Sequence, residues 1–173
     1  MKKILYILFL LPVFCRGQSL AHLDEKNGFG GVVLGDTITK LATYSNVILP
    51  KPGTAVIDKI SLTSYYLEDI QQLKITDDIT LDNFVIRYFD NRVYNIYLYF
   101  DYSQSMLIEQ VLRKAYGPPQ IEGNGLFWNA KKVSLLWLRD DSKTQYIIFT
   151  CKPLQPLYDA KRQEYLKSQT TKF

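Results

Sequence analysis

The chain reads as an α+β protein, a mostly antiparallel sheet with helices packed on one face. Three observations point there. Several interior segments alternate apolar and polar residues with the two-residue period of a half-buried strand and are joined by short turns. Residues 103–116 instead gather Leu107, Ile108, Val111, Leu112 and Ala115 on one face and Glu109, Gln110, Arg113 and Lys114 on the other, as an amphipathic helix does. The elements also come in a repeated order, a helix and then three strands, twice.

The first residues are Met1-Lys2-Lys3, an apolar run from Ile4 to Phe14, then Cys15-Arg16-Gly17. A basic start, an apolar stretch too short to span a bilayer, and a small residue for a peptidase to read make residues 1–17 a secretion signal. The expected mature chain starts at Gln18, with one α+β domain over 18–152 and a helical tail over 153–173. A lipid anchor on Cys15 is the alternative. Leu11-Pro12-Val13-Phe14-Cys15 has a bulky Phe where a lipidation signal needs a small residue, so plain cleavage near Gly17 is preferred. No transmembrane span is expected in the mature chain.

Cleavage alters the charge argument. The full chain has 21 basic and 17 acidic residues, net +4, and losing Lys2, Lys3 and Arg16 leaves 18 against 17. Such a balance gives no electrostatic basis for nucleic-acid binding or for a polybasic membrane contact. With Cys15 gone, Cys151 stands alone, so no intrachain disulfide can form and the fold must rest on burial.

Each element has its own warrant. Asp36, after Gly35, is placed to cap a short helix carrying Ile38, Leu41 and Ala42, which Pro50 and Pro52 end. Lys59 to Leu67 reads as a strand. Phe84, Ile86 and Tyr88 alternate with Asn83, Val85 and Arg87, and Tyr94, Ile96, Leu98 and Phe100 continue the pattern after Asp90-Asn91, a pair that tolerates positive φ in a tight hairpin. Asp101 or Ser103 caps helix 103–116, with Gly117 at its C-terminal end and Pro118-Pro119 forbidding continuation. That helix is expected to pack through Leu107, Val111 and Leu112 on Ile96, Leu98 and Phe100. Strands near 126–129, 132–139 and 144–151 follow, and the tail from Leu157 has helical composition with few apolar anchors.

The order suggests repeats over 31–102 and 103–152. Lys59-Ile60-Ser61-Leu62 matches Lys132-Val133-Ser134-Leu135, and Pro50 matches Pro118, though such short matches also arise by chance in strand-rich chains. With Leu34-Gly35-Asp36-Thr37 and Tyr116-Gly117-Pro118 as punctuation, the chain resembles the small secreted domains of the SmpA/OmlA outer-membrane lipoproteins and of the tandem-domain β-lactamase inhibitor proteins, over about residues 30–151. Gly31-Val32-Val33-Leu34-Gly35 is similar to the opening of a group of secreted proteins of Bacteroidetes-type bacteria. The resemblance implies a noncatalytic periplasmic interaction module and supplies no catalytic residue.

The residues offer little chemistry. No Gly-x-Ser-x-Gly elbow occurs, and the only histidine, His22, falls at an expected flexible terminus, far from any buried triad. One mature Cys and one His make no zinc set, and Cys151, closing the apolar run from Tyr146, reads as a half-buried strand residue. Gly28-Phe29-Gly30-Gly31 and Gly123-Asn124-Gly125 lack the residues of a phosphate loop. No metal or cofactor is expected. The acids Glu68-Asp69, Asp77-Asp78 with Asp82, and Asp140-Asp141 all fall where a strand ends or a turn begins. Asp caps local backbone at such positions, a better account of them than a catalytic carboxylate pair; calcium binding by Asp77, Asp78 and Asp82 would need the EF-hand spacing and glycine that they lack.

Aromatic residues remain. The chain has 13 Tyr, more than its turns and core require, and Tyr65, Tyr97 and Tyr99 fall on the less apolar face of their strands. Tyrosine suits an interface because it offers a large contact area, few rotors and a polar tip. The expectation is a secreted, periplasmic, noncatalytic protein that binds a protein or an envelope component through that face, unless loops or the tail cover it. A carbohydrate-binding or carbohydrate-active protein using the loop acids and aromatic stacking is the alternative, favoured if carboxylates line up beside Tyr or Trp in a cleft. The placement of Trp128 and Trp137, buried or facing a groove, is the key observation.

Overall fold

The computed structural model describes residues 19–41, 56–57, 63–66, 74–139 and 142–170. The expected signal, Glu68, Asp69, Asp140 and Asp141 therefore lie outside the described residues. The protein is α+β with a mostly antiparallel sheet. Among the described residues no helix is long and apolar enough to cross a membrane.

Helix α1 (Leu20–Lys26) opens the described chain and a hairpin of β1 (Gly28–Phe29) and β2 (Val32–Val33) follows it. Gly30 and Gly31 form its tip at φ 59° and 85°, values that a side chain would strain. Next come α2 (Ile38–Leu41), β3 (Val56–Ile57) and β4 (Thr63–Tyr66), the last within the stretch from Lys59 to Leu67 read as a strand and β3 just before it. A separate hairpin pairs β5 (Lys74–Thr76) with β6 (Ile79–Thr80). Strands β7 (Asn83–Phe89) and β8 (Arg92–Asp101) meet at Asp90-Asn91, which take φ 50° and 60° as a twisted two-residue hairpin turn demands.

Asp101 then accepts hydrogen bonds from the Ser103 amide (2.9 Å) and hydroxyl (2.6 Å), starting a short 3-10 turn that runs into α3 (Ser105–Tyr116). Gly117, at φ 82°, closes that helix by donating its N–H to the Arg113 carbonyl. The chain returns through β9 (Gln120–Glu122), β10 (Gly125–Asn129), β11 (Val133–Leu138) and β12 (Thr144–Cys151), and ends in α4 (Gln155–Thr170). One eight-stranded sheet results, in the order β3-β4-β7-β8-β12-β11-β10-β9. The chain thus enters at one edge, reaches the centre at β8, is carried by α3 to the far edge, and steps back until β12 pairs with β8. The half after α3 has four strands rather than the expected three, because β9 forms the second edge.

Alternation sorts the sheet into two faces. On one, Phe84, Ile86, Ile96, Leu98, Phe100, Ile147, Phe149, Leu126, Trp128, Leu135 and Trp137 are buried under α1, α3 and the β1–β2 hairpin. Each large apolar side chain removed from water there contributes about 1.5–3 kcal/mol. Both indoles find acceptors, Trp128 Nε1 at the Gly117 carbonyl (2.8 Å) and Trp137 Nε1 at Gln145 Oε1 (3.1 Å). A bulge between Arg87 and Tyr88 breaks the expected alternation at the start of β8. Tyr94 consequently packs against Phe89 (ring centroids 6.1 Å apart) and against Tyr158 of α4 (4.9 Å), and donates to Gln155 Oε1 at 2.6 Å.

Two expectations need correction. Helix α3 docks through Ile108 and Leu112, with Val111 half-buried, whereas Leu107 is 38% exposed: the buried stripe lies about one position C-terminal to the one expected. His22 is not on a flexible terminus. It belongs to α1, which is anchored by fully buried Leu23 and by the Asp24 carboxylate, an acceptor for the amides of Lys131, Lys132 and Val133 at 2.7–3.0 Å.

Candidate functional site

The opposite face of the sheet is built by the alternate residues of its central strands. Register places Tyr97 between Val85 and Ile148, and Tyr99 between Asn83 and Tyr146. Leu136, Leu138 and Phe127 extend the same face toward the β9 edge, and all three are half-buried. The Tyr97 and Tyr99 rings stack at 6.2 Å with an interplanar angle of 16°, and Tyr146 closes the triangle at 6.2 Å from Tyr97 and 5.7 Å from Tyr99. Mutual contact fixes these rings, so little rotamer freedom remains to be lost on binding.

Arg87 completes the group. Its guanidinium lies 4.4 Å from the centroid of the Tyr97 ring while Nη1 donates to the Tyr97 hydroxyl at 2.8 Å. Among the described residues no carboxylate is within ion-pair distance of Arg87, and its buried Nε has no hydrogen-bond partner. Burial pushes the Tyr97 hydroxyl above its ordinary pKa, with Arg87 opposing and Tyr99 and Tyr146 adding to the rise. The hydroxyl is neutral at physiological pH and can both donate and accept. Beside the rings, Asn95 donates to Thr150 Oγ1 at 2.9 Å, which satisfies a buried amide without drawing on the tyrosines.

Comparison of the chain with protein-family models, with curated proteins and with solved structures finds no match. The site must therefore be argued from its own geometry.

Of the three tyrosines expected on this face, the structure brings together Tyr97 and Tyr99. Position 65 pairs with Ile86, which registers it on the opposite face, away from the other two. Tyr65 leaves the site for a simple reason: β4 is antiparallel to β7, and pairing opposite Ile86 rather than Val85 exchanges the faces. Tyr146 takes its place. It was grouped with the apolar run 146–151, although its parity, opposite to Ile147 and Phe149, was visible in the sequence.

The other candidates fall elsewhere. Trp128 and Trp137 are 0% and 1% exposed; Trp137 backs a small cavity of about 330 Å³ with Tyr102, Glu109, Arg139 and Gln145, but its ring is too buried to offer a stacking face. Asp77 and Asp78 sit exposed in the β5–β6 turn, and Asp82 is exposed just before β7. Among the described residues no three of His, Cys, Asp and Glu come close enough to hold a metal ion. Cys151 is buried, and that burial pushes its thiol pKa up, against a bond from the Leu154 amide and the charge of Arg92. A thiol held protonated is a poor nucleophile.

Proposed function

We propose that the protein is a noncatalytic binding module of the cell envelope, exported by its first 17 residues, that engages a partner protein on the face bearing Tyr97, Tyr99 and Tyr146. The observation that carries this reading is the convergence of three half-buried tyrosines in mutual ring contact, with an arginine that has no carboxylate partner among the described residues, on a sheet face continued by Leu136, Leu138 and Phe127. Rigid aromatics next to a charged donor are the side chains that dominate interfaces when truncated. The burial of both tryptophans favours this reading over a carbohydrate-binding one that would stack sugars on their rings.

A photo-crosslinking residue placed at Tyr146 in growing cells tests the proposal. The expected result is one discrete adduct that is absent when the crosslinker sits at Lys161 on α4 and absent again when Tyr97 and Tyr99 are both changed to Ala. Truncation of hot-spot aromatics costs about 2 kcal/mol or more each, so the double variant loses binding well over tenfold. An adduct that survives the double change would remove the tyrosine face from the interface. Hydrolysis of an oligosaccharide by the purified protein would overturn the noncatalytic assignment, and an intact Met1 on the mature protein would overturn export.

A further inference from the structure

The other face of the sheet holds a half-open cavity of about 570 Å³ between α1, the β1–β2 hairpin and α3. Ligand pockets span roughly 300–1,000 Å³ and are mostly apolar with a few convergent polar groups. Leu98, Ile147 and Phe149 are its buried floor, and the half-buried Phe29, Val33, Ile75, Val111 and Ala115 are the apolar side chains that it leaves accessible. Phe29 lies over the floor, with its ring 6.3 Å from that of Phe149 and 6.0 Å from that of Phe84. Among the described residues no Asp or Glu lines the cavity, and the polar side chains that do are His22, Lys26 and Tyr116.

That lining is polarised. Lys26 is exposed in the last turn of α1, and His22 sits one turn earlier with its ring 6.1 Å from that of Tyr116. Of the carboxylates of α1, Asp24 is engaged by the three amides of residues 131–133, and the exposed Glu25 lies 3.5 Å from His22 Nδ1. Burial raises the Tyr116 hydroxyl pKa, so it stays a neutral donor. One end therefore offers a cation and hydrogen-bond donors while the floor offers only hydrocarbon.

We propose that this cavity binds a long-chain fatty acid, with the acyl chain along Phe29, Ile75, Val111 and Ala115 and the carboxylate at Lys26 and Tyr116. An aliphatic chain gains about 0.8 kcal/mol for each methylene it removes from water, and a carboxylate at the rim keeps its charge beside an ammonium rather than burying it. Neutral apolar compounds would leave Lys26 and Tyr116 unused. The site lies on the sheet face opposite Tyr97, so it stands or falls separately from the proposed interface.

Titration of the purified protein with cis-parinaric acid, followed by displacement with hexadecanoate or hexadecanol, tests the assignment. Saturable emission enhancement is expected, with hexadecanoate the better competitor. Lys26→Glu, at an exposed position, should weaken hexadecanoate about tenfold, the scale of one charge-assisted contact, and leave hexadecanol within about twofold. Ala115→Trp should fill the cavity and abolish enhancement in a protein whose near-ultraviolet dichroism otherwise matches the parent. No saturable enhancement with the parent protein, equal effects of Lys26→Glu on acid and alcohol, or full binding by folded Ala115→Trp would each overturn it.

Discussion

Asp24 shows how much one side chain can organise. Its carboxylate accepts three backbone amides of the β10–β11 turn, those of residues 131, 132 and 133, and its pKa is lowered: burial works against this, but the three bonds and the Lys132 charge outweigh it. Because the folded value lies below the ordinary carboxyl value of about 3.9, the stabilisation is complete above that value and is lost as pH falls through the lower one. Asp24→Asn should cost about 1–2 kcal/mol at neutral pH, since one amide oxygen cannot replace a charged pair of acceptors. Urea melts should show the gap between parent and variant narrowing below about pH 4. A gap that stays constant into strong acid would mean that the charge contributes nothing. The sequence gives no hint of this contact, because an acid in an amphipathic stretch looks solvated until its distant partner is placed.

At the level of elements, what could be read was what short-range physics sets. Residues 90–91, with an Asp-Asn pair tolerant of positive φ, form the hairpin turn expected of them, and the Gly117-Pro118-Pro119 stop ends α3 where it should. The docking angle of α3 was not legible, because two overlapping apolar stripes run along the helix and only its partners choose between them. Ile108→Ala should therefore cost about 2–5 kcal/mol and Leu107→Ala less than about 1 kcal/mol in denaturant melts. The reverse order would show that the helix is rotated from the position described. Tyr65 carries the same lesson for the site, as the strand was foreseen but the register that sets its face depends on β7. The cavity was equally hidden, since α3, which closes it, is far in sequence from α1 and the hairpin.

For the whole molecule, the decisive fact is the pairing of β8 with β12, which joins the two halves of the sheet through seven paired positions from Asp101↔Thr144 to Asn95↔Thr150. The core beneath is continuous across that seam, from Phe84 and Ile96 to Phe149 and Leu135. Helix α4 lies outside this unity: none of its residues is buried, and Tyr158 is its main foothold on Phe89 and Tyr94. Ending the chain after residue 160 should leave the unfolding midpoint nearly unchanged, a shift of about 0.5 kcal/mol or less. A larger loss in thermal melts would show that the distal helix supports the sheet.

The clasp between Asp24 and residues 131–133 also sets a timetable. Its ends are separated by 107–109 residues, so α1, which leaves the ribosome early, meets α3 first and lacks this clasp until residues 131–133 have followed it. Contacts that close so late slow folding and leave apolar surface uncovered in the meantime. A nascent chain of this protein must be shielded or held extended over most of its synthesis, and a chain stopped at Ala130 should show weaker protection of the α1 amides from hydrogen exchange than the full chain.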